Sequence, residues 1–283
     1  MSDRRRVAVL TGCSSGFGLL SAVELASAGF RVYATMRTPS KREQLDRAAA
    51  HAGVSVEVLP LDVTSDESVA SAFERIQAEA GRVDVLVSNA GYGIGGFVED
   101  TSVEEFREQF ETNFFGAVRV VKAVLPGMRE RRSGRIILIS SIGAFNPVPG
   151  LSAYNASKSA LEAFGETLRY ETVHDGVFVT LVEPGTYATD IFFDNARYAA
   201  GMRDPGSPHA KESARMELFA MREVERRRKA DPGEVARKVR LVATTKRPRL
   251  RYLVGTDAKI IKPLRAVTPA RVKEAAARRI LRG

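Results

Sequence analysis

Tyr154 and Lys158 place a phenol and an ammonium four residues apart, in a segment that is typical of a helix. This spacing puts both side chains on one face of the helix, one turn apart. A positive charge beside a phenol favours the phenolate, so the pair could take part in proton transfer. The same spacing arises by chance in many helices, where the lysine is a solvated surface charge. The interpretation therefore depends on whether other elements of the chain converge on this pair.

A glycine-rich turn near the start of the chain is the first such element. Val7 to Leu10 is a short apolar run typical of a buried strand in a parallel sheet. The sequence TGCSSGFG follows from Thr11 to Gly18, before a predicted helix from Leu19 to Ala28. Strand, glycine turn and helix in this order form a site where backbone N–H groups and a helix N-terminus bind phosphate.

Two other interpretations of this turn remain, because its spacing departs from the usual dinucleotide pattern G-x-G-x-x-G. It could be a plain tight turn, or Gly12 to Gly16 could be the G-x-S-x-G elbow of a hydrolase nucleophile. The hydrolase needs an oxyanion-hole loop from an earlier strand, and only eleven residues precede Gly12. None of the three histidines lies in a recognisable partner motif, which also disfavours the hydrolase.

Arg37 ends the second predicted strand, Phe30 to Met36, where dinucleotide folds select between cofactors. An acidic residue at this point binds the adenosine ribose, whereas an arginine accommodates a 2′-phosphate. No carboxylate lies nearby, so the sequence favours NADP(H) over NAD(H). The alternative is that Arg37 begins the next helix in solvent. Asp62 follows the third strand, Val54 to Leu61, and either contacts a purine amino group or caps the helix over 66–80.

Two further polar features occur in the middle of the chain. Asn89-Ala90-Gly91 follows the fourth predicted strand, 83–88, at the strand end where open α/β sheets bind ligands. A loop that only needs a positive φ angle is the alternative. Asn113 lies inside a helical region predicted over 103–128. Asparagine is a mediocre helix former, so its presence there indicates a bend or a polar site.

The remaining pattern predicts the architecture. Strands are expected over 135–139, ending in Ser140-Ser141, and over 177–182, with the Tyr154 helix between them. Six strands alternating with helices, without internal repeat, predict a Rossmann-type doubly wound parallel sheet in a three-layer α/β/α domain. We expect one domain over 1–283, with a cofactor-binding and catalytic core over 5–190. Residues 251–254 are a candidate last strand, and a helix begins at about Thr268.

The segment 190–231 interrupts the alternation of strands and helices. It contains an apolar run, Ile191-Phe192-Phe193, and a turn-rich stretch over 204–208. Because it follows a strand end that is expected to bind ligand, we interpret it as an insertion that covers the substrate. A packing excursion without contact to substrate is the alternative.

Charge is distributed unevenly along the 283 residues, whose net charge is +9. Residues 246–283 carry twelve Lys and Arg against Asp257 and Glu274, so this C-terminal extension holds a net charge of +10 and the rest is near neutral. The distribution disfavours a nucleic-acid groove across the core. A membrane-surface contact through the basic helix over 268–282 remains an alternative to a solvated or packed helix.

The compartment is predicted from apolar runs and from cysteine content. No apolar run approaches the roughly eighteen residues of a membrane span, and Val7 to Leu10 is too short for a signal peptide. Cys13 is the one cysteine, so an internal disulfide framework is excluded. We expect a cytoplasmic protein, and the sequence indicates no metal site.

Taken in order, these motifs resemble the short-chain dehydrogenase/reductase superfamily over about residues 5–190. The resemblance is carried by the glycine turn, Asn89-Ala90-Gly91, Asn113, Ser141, Tyr154, Lys158 and Pro184-Gly185. Three further stretches are similar to the branch that contains 17β-hydroxysteroid and retinol dehydrogenases: GCSSG from Gly12, VYATMR from Val32 and RVDVLV from Arg82.

The resemblance implies a role for each catalytic residue. Tyr154 would be the general acid in carbonyl reduction or the base in alcohol oxidation, with Lys158 favouring its phenolate and binding the nicotinamide ribose. Ser141 would donate a hydrogen bond to the substrate oxygen, and Asn113 would organise a proton-relay water. The implied enzyme is an NADP(H)-dependent oxidoreductase that acts on an apolar ketone or aldehyde and its alcohol. The alternatives are an NAD(H)-dependent enzyme of the same fold and a dinucleotide-binding regulatory protein without turnover.

The resemblance also implies the residues that contact cofactor and substrate. Besides Tyr154 and Lys158, the cofactor contacts would be Gly12, Ser14, Ser15, Gly16, Phe17, Gly18, Arg37, Asp62, Val63, Asn89, Ala90, Gly91, Pro184, Gly185, Thr186 and Thr189. An apolar substrate would contact Tyr187, Ile191, Phe192 and Phe193. By the same analogy, pairing through the helices around 116–131 and 154–173 would give a homodimer or homotetramer.

Overall fold

A seven-stranded parallel sheet forms the centre of the protein. The structure is a computed structural model that describes residues 5–188 and 197–282. The strands of this sheet are β1 (Val7–Leu10), β2 (Arg31–Met36), β3 (Glu57–Pro60), β4 (Val85–Ser88), β6 (Gly134–Ile139), β7 (Val177–Pro184) and β9 (Arg251–Val254). Their order is β3-β2-β1-β4-β6-β7-β9. The six predicted strands and the candidate seventh are all confirmed, with bounds that differ by a few residues.

Helices cover both faces of the sheet. They are α1 (Gly16–Ser27), α2 (Glu43–His51), α3 (Asp66–Ala80), α4 (Val103–Phe110), α5 (Gly116–Glu130), α6 (Ser152–Thr172), α7 (Ala210–Arg226), α8 (Gly233–Thr244), α9 (Thr256–Val267) and α10 (Ala270–Arg282). Alternate side chains of each strand enter different cores. Val7, Val9 and Leu86 pack with α3, α5 and α6, whereas Ala8 and Leu10 pack with α1 and α8. This alternation confirms the three-layer α/β/α arrangement.

The strand order reverses at β1. Val9 pairs with Tyr33 of β2 on one side and with Leu86 of β4 on the other. The chain winds outward to β3 in one direction and then outward to β9 in the other. The chain therefore leaves β1 and β4 towards opposite edges of the sheet, and the carboxyl ends of strands at such a reversal are where open α/β sheets bind ligands.

Several elements differ from the sequence-based expectation. The helical region predicted over 103–128 is two helices, α4 and α5, joined by a π-helical turn over Glu111–Phe115. The segment after residue 197 contains α7, and a helix that the sequence pattern missed, α9, precedes the expected C-terminal one. A short parallel pair joins β5 (Ile94–Gly95) to β8 (Arg197–Tyr198). Over 5–188 and 197–282, no helix is long and apolar enough to span a bilayer.

Candidate active site

Thr11 and Asn89 join the glycine turn after β1 to the loop after β4. The Asn89 side-chain amide donates to the carbonyl oxygens of Thr11 and Gly12, both at 3.0 Å. In return, the Thr11 hydroxyl oxygen accepts from the backbone N–H groups of Asn89 and Ala90, also at 3.0 Å. Two motifs that are 77 to 79 residues apart in sequence therefore form one rigid unit. The sequence singled out Asn89 but missed the role of Thr11.

Close backbone approach explains two of the glycines. Gly12 has a φ angle of +69°, and a Cβ there would lie 2.8 Å from the Cα of Ala90. A Cβ on Gly18 would collide with the carbonyl oxygen of Gly12. Any larger residue would separate the turn from α1 or from the loop after β4. The interpretation of this segment as an ordinary turn leaves these close approaches unexplained.

The first turn of α1 fits a dinucleotide phosphate. The helix begins at Gly16 and carries no acidic residue in its first turn, so its N-terminal partial charge is not neutralised there. Ser14, Ser15, Gly16 and Phe17 are partly exposed at the carboxyl edge of the sheet. Cys13 is instead buried, and burial raises the pKa of its thiol to about 12. The turn therefore offers backbone donors to an anion, and its cysteine is an inert packing residue.

Asn113 lies in the π-helical turn and is buried at 1% exposure. Its amide nitrogen donates to the Tyr92 carbonyl oxygen at 3.0 Å and to the Ser157 hydroxyl at 3.1 Å, and its oxygen accepts from the Tyr92 N–H at 3.1 Å. The Ser157 hydroxyl donates to the Tyr154 carbonyl oxygen at 2.8 Å. Asn113 thus joins the loop after β4 to the helix that carries Tyr154. A π-turn at such a polar residue is a frequent feature of functional sites.

Tyr154 lies between two glycines. A Cβ added at Gly93 would approach the ring at 3.5 Å, and one added at Gly143 would approach it at 3.1 Å. Burial raises the pKa of the Tyr154 phenol above its ordinary value, and a hydrogen bond with Ser141 opposes this increase. The phenol is therefore protonated at neutral pH in the protein alone and can act as a proton donor.

Ser141 lies two residues after β6 and interacts with Tyr154. Its hydroxyl oxygen accepts a hydrogen bond from the backbone N–H of Gly143 at 3.0 Å. This bond occupies one lone pair of the oxygen and leaves its O–H to donate elsewhere. Ser141 is thus positioned to interact with Tyr154 and with an oxygen placed beside it.

Lys158 is buried at 5% exposure, one turn after Tyr154 in α6. Its ammonium donates to the carbonyl oxygen of Ile139 at 2.9 Å and lies 6.0 Å from the centre of the Tyr154 ring. Burial lowers its pKa to about 8, and the carboxylate of Glu162 acts in the opposite direction. One bond uses one of the three ammonium donors, which leaves donors for a ribose hydroxyl.

Gly91 connects these groups to the loop after β4. A Cβ there would lie 3.0 Å from the Asn113 side-chain oxygen and 3.7 Å from the Lys158 nitrogen. The structure therefore brings all four predicted catalytic residues to the carboxyl edge of the sheet, beside Asn89, Ala90 and the glycine turn.

Arg37, Asp62 and Val63 were predicted to contact the adenosine half of the cofactor. Arg37 is exposed beyond the end of β2. Asp62 accepts from the backbone N–H and the hydroxyl of Thr64, at 3.0 and 2.8 Å, while Ser65 caps α3. Asp62 therefore does not cap that helix, which removes one of its two interpretations. Val63 is buried and packs against α5.

The segment after β7 is held by the C-terminal part of the chain. The backbone N–H of Gly185 donates to the Val254 carbonyl oxygen at 2.8 Å, and that of Thr186 donates to the buried Asp257 carboxylate at 2.7 Å. The predicted cofactor segment Pro184-Gly185-Thr186 is thus fixed by β9 and α9. The sequence missed Asp257 because no local pattern relates it to a loop 71 residues earlier.

Tyr187, which was predicted to contact substrate, is buried. Its side chain is 2% exposed, its ring packs edge-on against Phe17 with centroids 5.6 Å apart, and its hydroxyl donates to Glu234 at 3.3 Å. These contacts place it in the core beneath the glycine turn. The other predicted contacts in this stretch, Thr189, Ile191, Phe192 and Phe193, lie outside the described residues.

Comparison with known proteins agrees with this geometry. A family model for short chain dehydrogenases matches residues 6–197. Bovine (Bos taurus) retinol dehydrogenase 8 is 39% identical over 276 residues, covering 95% of this chain and 88% of the relative. Human (Homo sapiens) 17-beta-hydroxysteroid dehydrogenase type 1 is 37% identical over 254 residues, covering 88% of this chain and 77% of the relative.

Solved structures give the same result. A short-chain dehydrogenase from Streptomyces avermitilis superposes with a TM-score of 0.79 at 34% identity, covering 99% of this chain and 98% of the other. A variant of actinorhodin polyketide ketoreductase, solved with NADPH, superposes with a TM-score of 0.74 at 29% identity, covering 92% and 100%. The chain belongs to the short-chain dehydrogenase/reductase family, in the branch similar to retinol and hydroxysteroid dehydrogenases.

Proposed function

We propose that this protein is an NADP(H)-dependent oxidoreductase that interconverts an apolar ketone or aldehyde and the corresponding alcohol. The observation that carries this proposal is the convergence of Ser141, Tyr154 and Lys158 beside the glycine turn that fits a dinucleotide phosphate. The proposal is strengthened by similarity to relatives named as retinol and hydroxysteroid dehydrogenases.

The bound nicotinamide would supply or accept the hydride, while the protein handles the proton and the developing charge. In reduction, the protonated Tyr154 phenol donates its proton to the carbonyl oxygen. The Ser141 hydroxyl, whose oxygen already accepts from Gly143, donates to the same oxygen. The Lys158 ammonium stabilises the phenolate that remains after transfer. Oxidation of the alcohol reverses these steps.

Replacement of the phenol hydroxyl tests the chemistry. Tyr154→Phe keeps the ring between Gly93 and Gly143, so the fold and NADPH binding should be preserved. Loss of the proton donor should reduce turnover by about 10²- to 10⁴-fold. Full NADPH-dependent turnover in this variant would refute the proposal. Tight NADPH binding by the unaltered protein, without oxidation by any of a broad set of carbonyl compounds, would favour a regulatory dinucleotide-binding protein instead.

Selection of NADP(H) rests on Arg37. Its guanidinium is exposed beyond β2, at the position where an arginine accommodates a 2′-phosphate. Arg42 provides a matched control, because it is an exposed guanidinium nearby that already pairs with Asp46 at 2.7 Å. Arg37→Ala should weaken NADPH binding about tenfold or more and leave NADH binding nearly unchanged, while Arg42→Ala should change neither. Equal losses for the two cofactors in Arg37→Ala would contradict the assignment.

The substrate class, the compartment and the assembly are inferred by analogy with the family. We infer an apolar substrate, covered by the 190–231 segment, from the names of the relatives and from the apolar run at 191–193. We also infer a cytoplasmic homodimer or homotetramer that pairs through α5 and α6. Exposed aromatic residues flank or lie on these helices, Phe115 at the start of α5 and Tyr170 near the end of α6. Sedimentation velocity would measure the assembly directly.

A further inference from the structure

The helix α9 exposes three large apolar side chains, while its Asp257, Lys262 and Arg265 side chains contact the protein. Ile260, Leu264 and Val267 are 58%, 58% and 78% exposed. They follow each other at i, i+4 and i+7, so they form a continuous apolar stripe on the outer face of the helix. A surface helix of a globular protein normally has the opposite arrangement. We call Ile260, Leu264 and Val267 the outer stripe.

Inward polar contacts fix this orientation. The buried Asp257 accepts from the Thr186 N–H at 2.7 Å, and Lys262 donates to the buried Glu183 carboxylate at 2.7 Å. One turn further on, Arg265 donates to the side-chain oxygen of Asn146 at 3.2 Å. A rotation that buried the outer stripe would break all three interactions and leave the Glu183 carboxylate without Lys262, which is costly. The outer stripe is therefore exposed as a consequence of the contacts that hold α9.

The surroundings of the outer stripe are basic. Residues 256–282 contain eight Lys and Arg against Asp257 and Glu274, and Asp257 is buried. The basic residues that are exposed on α9 and α10 are Lys259, Arg271, Arg278 and Arg279. Lys259 directly precedes Ile260, and Val272 adds a further exposed apolar side chain at the start of α10. The exposed side chains of α9 and α10 are thus both apolar and cationic.

The combination of exposed apolar and cationic side chains favours one kind of binding partner over others. A second copy of the chain would bring two strongly basic segments together, and their repulsion opposes pairing. A nucleic acid would satisfy the cations but offers nothing to the outer stripe. A bilayer with anionic headgroups satisfies both, because apolar side chains enter the acyl boundary while lysine and arginine reach the phosphate level.

We propose that the outer face of α9, with the basic residues of α9 and α10, docks onto an anionic membrane surface through the outer stripe. The sequence alone placed such a contact in the helix over 268–282. The structure moves its apolar part to α9, because Ile260, Leu264 and Val267 are the exposed large apolar residues of that helix. Lys262 also lies 4.7 Å from the ring of Phe145, four residues after Ser141, so the docking helix is next to a loop of the candidate active site.

Vesicle flotation of the full-length protein tests the proposal. Vesicles of phosphatidylcholine alone are compared with an equimolar mixture of phosphatidylcholine and phosphatidylserine. We expect binding to the mixed vesicles, weakening with added salt, and little binding to the neutral ones. The double variant Ile260→Gln, Leu264→Gln should lose about tenfold or more in vesicle affinity. Lys259→Gln and Arg271→Gln should each lose about fivefold, on the mixed vesicles only.

A matched control separates docking from general surface hydrophobicity. Leu241 is 44% exposed on α8, so Leu241→Gln makes the same chemical change away from α9 and should leave vesicle binding unchanged. Because the altered side chains are exposed, the thermal unfolding temperature should change little in every variant. The single variant Val267→Gln provides a milder test of the outer stripe. Absence of binding to the mixed vesicles, or equal binding by the outer-stripe variants, would overturn the proposal. The proposal would also be overturned if the outer-stripe variants changed the oligomeric mass measured by sedimentation but bound vesicles like the unaltered protein. That result would assign the stripe to contact with a second copy of the chain.

Discussion

The ionisation of Lys158 should control how the reduction rate depends on pH. Burial lowers its pKa from 10.5 to about 8. The ammonium is therefore present at neutral pH and lost as pH rises above 8. The Tyr154 phenol does not account for a change in this range, because burial raises its pKa above the ordinary value. A decrease in rate near pH 8 would thus belong to Lys158.

The size of the effect follows from the shift. The decrease of the Lys158 pKa from 10.5 to about 8 means that the protein disfavours the charged form by roughly 3 kcal/mol. With a pKa of about 8, about a tenth of the molecules remain charged at pH 9, so kcat/KM for NADPH should fall to about a tenth of its plateau. A lysine with its ordinary pKa of 10.5 would remain almost fully charged at that pH, and the rate would stay nearly constant.

Glu162→Gln supplies the perturbation. The Glu162 carboxylate, one turn after Lys158, raises the lysine pKa. A neutral amide removes this support, so the decrease in rate should move to lower pH while the plateau at low pH is retained. Glu166→Gln is the control, because Glu166 also pairs with Arg251 but lies a further turn away from Lys158.

Initial rates of carbonyl reduction, with NADPH varied at saturating carbonyl substrate, report the groups of the free enzyme. The profile would be measured from about pH 6 to about pH 9.5 for the unaltered protein and both variants. A flat profile through pH 9 would refute the assignment to Lys158. Equal displacement of the profile by Glu162→Gln and Glu166→Gln would refute the role of the nearer carboxylate.

Three further predictions concern stability and reactivity. Gly12→Ala should lower the free energy of unfolding by about 2–4 kcal/mol, because it combines a positive φ angle with a backbone clash. Gly53→Ala is the control, since Gly53 has a similar φ angle but open space around it, and should cost about 1 kcal/mol. Equal losses in urea unfolding would contradict the close approach. Lys262→Met should cost up to about 3 kcal/mol, and adding Glu183→Gln should recover part of it in a double-mutant cycle. Cys13 should react with a thiol reagent only after unfolding, because its buried thiol has a pKa of about 12; rapid labelling of the native protein would disprove its burial.

Features that repeat locally were predictable from sequence. Several strands are apolar runs followed closely by glycine, serine or asparagine, so much of the sheet and of its carboxyl edge could be predicted without the structure. Asn113 was predictable as a bend or a polar site because asparagine disfavours a helix interior, and it lies buried in the π-helical turn. The burial of Tyr187 against Phe17 was not predictable, because it depends on how α1 meets the segment after β7.

The C-terminal extension shows why the remaining features could not be predicted. Its basic composition indicated a tail separate from the near-neutral core, yet its charges complete a buried network. Arg251 of β9 pairs with Glu162 at 3.0 Å and lies 3.3 Å from Glu183, which Lys262 of α9 also contacts. This network includes Glu162, whose carboxylate raises the pKa of Lys158. Each pair joins residues at least 68 positions apart (251 − 183), beyond the range of any helical or strand period. The extension that seemed an addition in the sequence is therefore part of what sets the electrostatics of the candidate active site.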